Sequence, residues 1–186
     1  MLDSGLIRAA LEALARELGA GDSVVSAATV ELLLVGGAGG LLAGRLAPHR
    51  VTSDCDVMVC VPEEAWPELE RAAGRVAHRL GLSRRWLNRG PAGPYRDALP
   101  RGWEQRRSEV LRTGPLVIFV PGRVDFIAMK ALANRAQDIE DLIALNTTAD
   151  ERAFVRHHLL HWPHDHWLNS QLREALATLD ELEDDT

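Results

Sequence analysis

The chain has 186 residues, of which 46% are apolar, and a formal net charge of −6. That length and apolar content fit one domain over 1–186 with a real core and exclude a disordered chain, while the acidic total argues against general nucleic-acid coating. No run approaches the roughly 18 apolar residues of a membrane span, and the N-terminus lacks a basic region followed by an apolar stretch and a cleavage site, so neither a membrane partner nor a secretory signal is expected.

Residues 4–19 read as an amphipathic helix, because Leu6, Ile7, Ala10, Leu11, Leu14 and Leu18 recur at helical spacing. This helix makes 1–22 an N-terminal element. Residues 30–35, Val-Glu-Leu-Leu-Leu-Val, read as a buried strand, followed by the Gly-Gly-Ala-Gly-Gly turn at 36–40 and a helix over 41–46. A second strand is expected over 55–61, closed by Pro62, and a helix over 63–81 with Leu69, Ala73, Val76 and Ala77 inward. Cys55 and Cys60 share that second strand at an odd separation, which points them to opposite faces. A disulfide between them is then not expected, and a reducing, cytoplasmic setting is.

Residues 88–102, with three prolines and three glycines, read as a loop. A third strand is expected over 116–120. Helices follow over 124–135, from near Asp138, over 151–161 and over 167–183, so that about 138–186 forms a helical C-terminal part. The order gives an α/β (α+β) fold, a small mixed sheet flanked by helices.

Charge is unevenly spread. Residues 84–112 hold eight arginines against three acids, a local +5, and leave −11 for the remainder. This segment reads as a solvated loop or as a contact surface for RNA or an acidic partner. Trp86 and Trp103 within it read as core anchors or as platforms for a base. Of the 21 basic residues 20 are arginine, and Lys130 is the one lysine. His157 and His161, at i and i+4, could chelate a metal or simply form a polar helix end together with His164 and His166.

The pattern that carries chemistry is strand, Gly36-Gly37, helix, then Asp54-x-Asp56 at the start of the next strand. Glycines after a strand let backbone amides approach a phosphate, and the helix start adds positive potential. Two carboxylates two residues apart on a strand share a face, about 7 Å apart along it. Like charges so placed repel unless a cation lies between them, and their hard oxygens suit Mg²⁺ gripping nucleotide phosphates.

Gly36-Gly37 followed by Arg50-x-Thr52-x-Asp54-x-Asp56 resembles the signature of the DNA polymerase β-like minimal nucleotidyltransferases, and more closely that of AbiEii-like toxin nucleotidyltransferases. A later block, Ala128-x-Lys130, Arg135 and Asp138-x-x-Asp141, is similar to one in the same group. The resemblance implies that Asp54 and Asp56 bind Mg²⁺ or Mn²⁺. It implies that Gly36, Gly37, Arg50 and Thr52 bind an NTP, that Lys130 contacts a phosphate, and that Asp138 or Asp141 is a later catalytic acid. It further implies a nucleotidyl acceptor, RNA or protein, and a toxin–antitoxin or phage-defence setting with a cognate antitoxin. A catalytically degenerate member would instead be a nucleotide- or protein-binding partner. Polymerase β-like enzymes place a third carboxylate on a neighbouring strand. Asp125 is the candidate here, although it could equally open the Lys130 helix.

Asp138 also reads as a helix N-cap with Asp141 completing a capping box. Were the helix continuous, Lys130, Asn134, Gln137 and Asp141 would share a face, since the eleven residues from Lys130 to Asp141 are close to three turns.

Overall fold

Five strands form one mixed sheet in the order β3-β2-β1-β5-β4. They are β1 (Val30–Val35), β2 (Cys55–Val61), β3 (Leu87–Asn88), β4 (Ser108–Thr113) and β5 (Leu116–Val120). The structure is a computed structural model that describes residues 1–20, 29–90, 99–161 and 169–184. The chain divides into two compact units, Met1–Arg96 with Arg107–Pro121, and Asp97–Arg106 with Gly122–Thr186. The mixed α/β architecture expected from the sequence is the one observed, and the helical part begins at Gly122.

The first unit holds the sheet with α1 (Ser4–Gly19), α2 (Gly36–Leu42) and α3 (Trp66–Leu80). Asp3 caps α1 by accepting the Leu6 N–H at 2.7 Å, which satisfies one of the donors a helix start leaves open. The expected apolar stripe of α1 is buried, from Ile7 through Leu11 and Leu14 to Leu18. A 3₁₀ turn at Glu63–Ala65 leads into α3, whose Leu69, Ala73, Val76 and Ala77 face the core. Trp86 is an anchor and not a base platform: it is fully buried, and its Nε1 donates to the Ala73 carbonyl at 3.0 Å. β3, a two-residue strand at the start of the expected loop, pairs parallel with β2.

Two expectations are corrected in this unit. α2 starts at Gly36 and not at Leu41, so the glycines are helical. The reason is close approach. A Cβ on Gly39 would stand 2.5 Å from the Leu34 carbonyl oxygen, and one on Gly37 would stand 2.8 Å from Thr52 Oγ1. Helix propensity disfavours glycine, but contact with β1 and with the chain before β2 requires it.

Second, the pairing of β1 with β2 is antiparallel with a register shift between Leu33 and Leu34. The bulge adds one residue to β2, so an odd separation no longer means opposite faces. Cys55 and Cys60 are both buried, and both are free thiols. Part of the basic segment is also not loop. β4 forms a hairpin with β5 through Gly114-Pro115, and its outer position suits its exposed Glu109 and Arg112, charges that discourage further strand pairing.

The second unit contains α4 (Trp103–Arg106), α5 (Arg123–Ala133), α6 (Ala136–Leu145), α7 (Ala149–Leu160) and α8 (Asn169–Asp184). α5 lies at its centre, against α6, α7 and α8, and buries Phe126, Ile127, Ala131 and Leu132. Asn134 and Asn146 end α5 and α6 in the left-handed region, φ 44° and 47°, where Asn is among the tolerated residues. The break at Asn134 means that α5 and α6 are not one continuous helix. Thr148 and Glu151 cap α7 reciprocally. His161 Nδ1 lies 2.7 Å from the His157 carbonyl oxygen, and no group of three potential metal-ligating side chains occurs among the described residues. His164 and His166 lie outside those residues.

The glycines give a paired expectation. Gly39→Ala forces a methyl group onto a backbone oxygen and should destabilise by about 1–3 kcal/mol. Gly74→Ala, on α3 with nothing within 4 Å of the added Cβ, should stabilise by about 0.5–1 kcal/mol. Urea unfolding of the two variants checks both signs.

Candidate functional site

The antiparallel pairing sets the end of β1 beside the start of β2, with Val35 opposite Asp56. Gly36 follows immediately, with φ +62°, a conformation open to glycine and costly for side chains. A Cβ there would lie 3.1 Å from Asp56 Oδ2. The Asp56 carboxylate therefore lies directly against the glycine turn. Thr52 is fixed by two backbone hydrogen bonds with Leu2, 2.7 and 2.9 Å long, and its hydroxyl abuts Gly37.

Asp54 is oriented by its neighbours: Ser53 Oγ donates to Oδ1 at 3.0 Å, and Asn88 Nδ2 donates to Oδ2 at 3.4 Å. Both aspartates are half-buried, while Cys55 between them is fully buried. Burial first, then the flanking charges of Asp54 and Asp56, push the Cys55 thiol well above its ordinary range. The alternation is thus real: acids on one face, thiol on the other. Arg50 is half-buried and donates to the Val51 carbonyl. The structure brings together Gly36, Gly37, Thr52, Asp54 and Asp56, with Arg50 two residues before Thr52. Asn88 was not anticipated, and its only sequence signal was one polar residue after Trp86-Leu87.

The later block forms its own cluster, in the second unit. Lys130 Nζ donates to Asp138 Oδ1 at 2.6 Å and to Asp141 Oδ2 at 2.7 Å, with all three side chains at most 7% exposed. Arg135 Nε donates to Asp138 Oδ2 at 2.6 Å from a largely exposed side chain. Lys130, expected to contact a phosphate, is held in this structure by two carboxylates that clamp α5 to α6. Asp138 is not the N-cap either. Arg135 holds that position, and Asp138, three residues on, accepts the Arg135 backbone N–H at 3.4 Å.

Burial pushes the Asp138 carboxyl up, but hydrogen bonds from Arg135 and Lys130 outweigh it and hold the group below its usual value. A lowered folded value contributes stability above the usual 3.8, which is lost as pH falls through the folded value.

Asp125 also belongs to the second unit. It is fully buried in the first turn of α5, and the Arg106 guanidinium reaches both its oxygens, Oδ1 at 2.6 Å and Oδ2 at 3.0 Å. The geometry gives the expected third metal ligand an arginine partner. Among the described residues no three His, Cys, Asp or Glu side chains converge on one point.

Lys130→Met should therefore act on stability, leaving two buried carboxylates without their cation at a cost of about 3–5 kcal/mol at neutral pH. The gap to wild type should narrow as pH falls below the usual carboxylate value, because the wild type loses its ion pair while the variant's acids become neutral. Urea unfolding at pH 7 and pH 3 measures it.

The family described as "Nucleotidyltransferase of unknown function (DUF6036)" matches residues 10–150. The match takes in β1, the glycine turn, Asp54, Asp56 and the Lys130 cluster, and extends over three quarters of the chain. The chain belongs to that family. No curated protein and no solved structure matches it.

Proposed function

From that membership, we propose that the chain transfers a nucleotidyl group from an NTP to an acceptor on RNA or protein, at a site built on Asp54 and Asp56. The observation that carries this reading is the seat of the Asp56 carboxylate against Gly36, where an added Cβ would lie 3.1 Å from Oδ2. A turn stripped of side chains beside an oriented pair of carboxylates suits a triphosphate and its counterion. The donor set fits Mg²⁺ or Mn²⁺, since Mg²⁺ is commonly held by one or two carboxylates with waters and substrate phosphates completing the shell. When bound, the ion neutralises phosphate charge and orients the triphosphate.

The protein's own residues have distinct tasks in this reading. Asp54 is aimed by Ser53 and Asn88, and Asp56 by its pairing with Val35. Arg50 and Thr52 flank the phosphates. The acceptor oxygen attacks the α-phosphorus, its proton leaves, and the bond to the pyrophosphate group breaks. Lys130, Asp138 and Asp141 support the fold of the second unit rather than touch the nucleotide. The resemblance to AbiEii-like toxins supports a cytoplasmic toxin–antitoxin or phage-defence setting, with an antitoxin as partner.

One observation favours a second reading, a catalytically degenerate fold that binds a nucleotide or protein: Asp125 is engaged by Arg106 and no third acid joins the pair among the described residues. Incubation with each α-labelled NTP, Mg²⁺ and total RNA or protein separates the two. We expect label transfer that falls at least about 100-fold in Asp56→Asn, beyond the usual effect of losing a residue outside a metal's own ligands. NTP binding by calorimetry without transfer would select the second reading. Neither binding nor transfer with any NTP would overturn the first reading and leave a protein-binding fold.

A further inference from the structure

The charge asymmetry has a structural counterpart away from Asp54 and Asp56. α3 carries Arg71, Arg75 and Arg79 four residues apart, which places them on one face at intervals of about 6 Å. With His78 and Arg84 they line an open groove of about 850 Å³ on the first unit. All five side chains are exposed. One acid enters the groove, Glu17 of α1, and it pairs with Arg75 and Arg79. Arg71 and Arg84 have no carboxylate partner among the described residues. The two acids of α3, Glu68 and Glu70, precede the stripe and do not line it.

We propose that this groove is the docking surface for the phosphodiester backbone of an RNA acceptor. The inference rests on the nucleotidyltransfer reading and, within it, chooses RNA over protein. Four guanidiniums against one carboxylate, in a chain that is acidic overall, form a local positive field suited to a polyanion. Protein interfaces concentrate aromatic and apolar anchors at their centres, and no such side chain lines this groove. Guanidinium forks bind phosphate oxygens in pairs. Arginine as such carries no weight, since 20 of the 21 basic residues are arginine; the weight lies in the spacing and the shared face. One end of the groove lies near the site in sequence. Arg84 and Asn88, which touches Asp54, are four residues apart and so at most about 14 Å apart.

The test is equilibrium binding of fluorescent single-stranded RNA to the full chain, by anisotropy, across a salt series. Three or four neutralised phosphates predict a log–log slope of about −2 to −3, equal to a loss of about 20-fold or more between 50 and 200 mM salt. Arg71→Gln/Arg75→Gln/Arg79→Gln should lower affinity at least tenfold and flatten the slope by about 2, with unchanged thermal unfolding; the matching Lys triple should restore both. Glu17→Gln frees Arg75 and Arg79 and should tighten binding and steepen the slope. Asp56→Asn should bind RNA like wild type while losing transfer, so the groove and the active site fail separately. Wild-type RNA affinity in the Gln triple would overturn the groove while leaving transfer standing. Polyglutamate competing as well as RNA would reassign it to an acidic protein, and duplex DNA binding equally well would overturn the choice of RNA.

Discussion

Everything in the first unit hangs on the approach of α2 to the strand that precedes it. The helix begins one residue after β1 ends, and Gly39 comes back over the Leu34 carbonyl so closely that no Cβ could stand there. A chain that reverses this tightly has no room for side chains, so the turn presents bare backbone. β2 then runs beside it, and Gly36 and Gly37 rest against Asp56 and Thr52. The steric constraint that shapes the turn thus also fixes the carboxylate pair beside it. Packing and site are one contact seen from two sides, which is why substitutions there act on both.

The second unit is organised by a different force. Lys130, Asp138 and Asp141 place one cation between two anions in a nearly dry setting, and Arg135 supplies the second positive charge from the rim. Buried ions are tolerated when the charges balance and the geometry satisfies the donors. An ammonium is compact enough to serve two carboxylates from one point, which a planar guanidinium fork does less readily. This accounts for a lysine in a chain that otherwise uses arginine.

Sequence pattern reached the regular elements and stopped at their junctions. β1, β2, β5 and α1 were legible to the residue, because apolar runs and helical periodicity report burial directly. The start of α2 was not, since five residues with four glycines read as a turn by propensity and only tertiary contact makes them helical. β4 was hidden by its charges, which suit an edge strand and resemble a loop. The bulge opposite Leu33 and Leu34 has no local signature, and it removes the opposite-face argument for the two cysteines, which are free thiols as expected. At the site, Asp54, Asp56 and the glycines were readable because their spacing fixes their geometry. Asn88 was not, because its place depends on a two-residue strand pairing. The acids at 125, 138 and 141 were visible as acids, but their partners, Arg106 and Lys130, come from the packing of helices.

The two charged regions of the first unit also constrain each other. Asp54 and Asp56 create a negative centre that repels the phosphates a nucleotidyltransferase must bring in. Setting the guanidiniums on the exposed face of α3 keeps the opposite charges apart, while Arg84 and Asn88 stand four residues apart. Glu17 then holds Arg75 and Arg79 in the groove at low cost, because an exposed ion pair of this kind is worth little and a phosphate can compete for it. In the proposed reading, an acidic centre at Asp54 and Asp56 and a basic face on α3 are complementary requirements for bringing a polyanion to a metal, and α3 with β3 is the element that separates them.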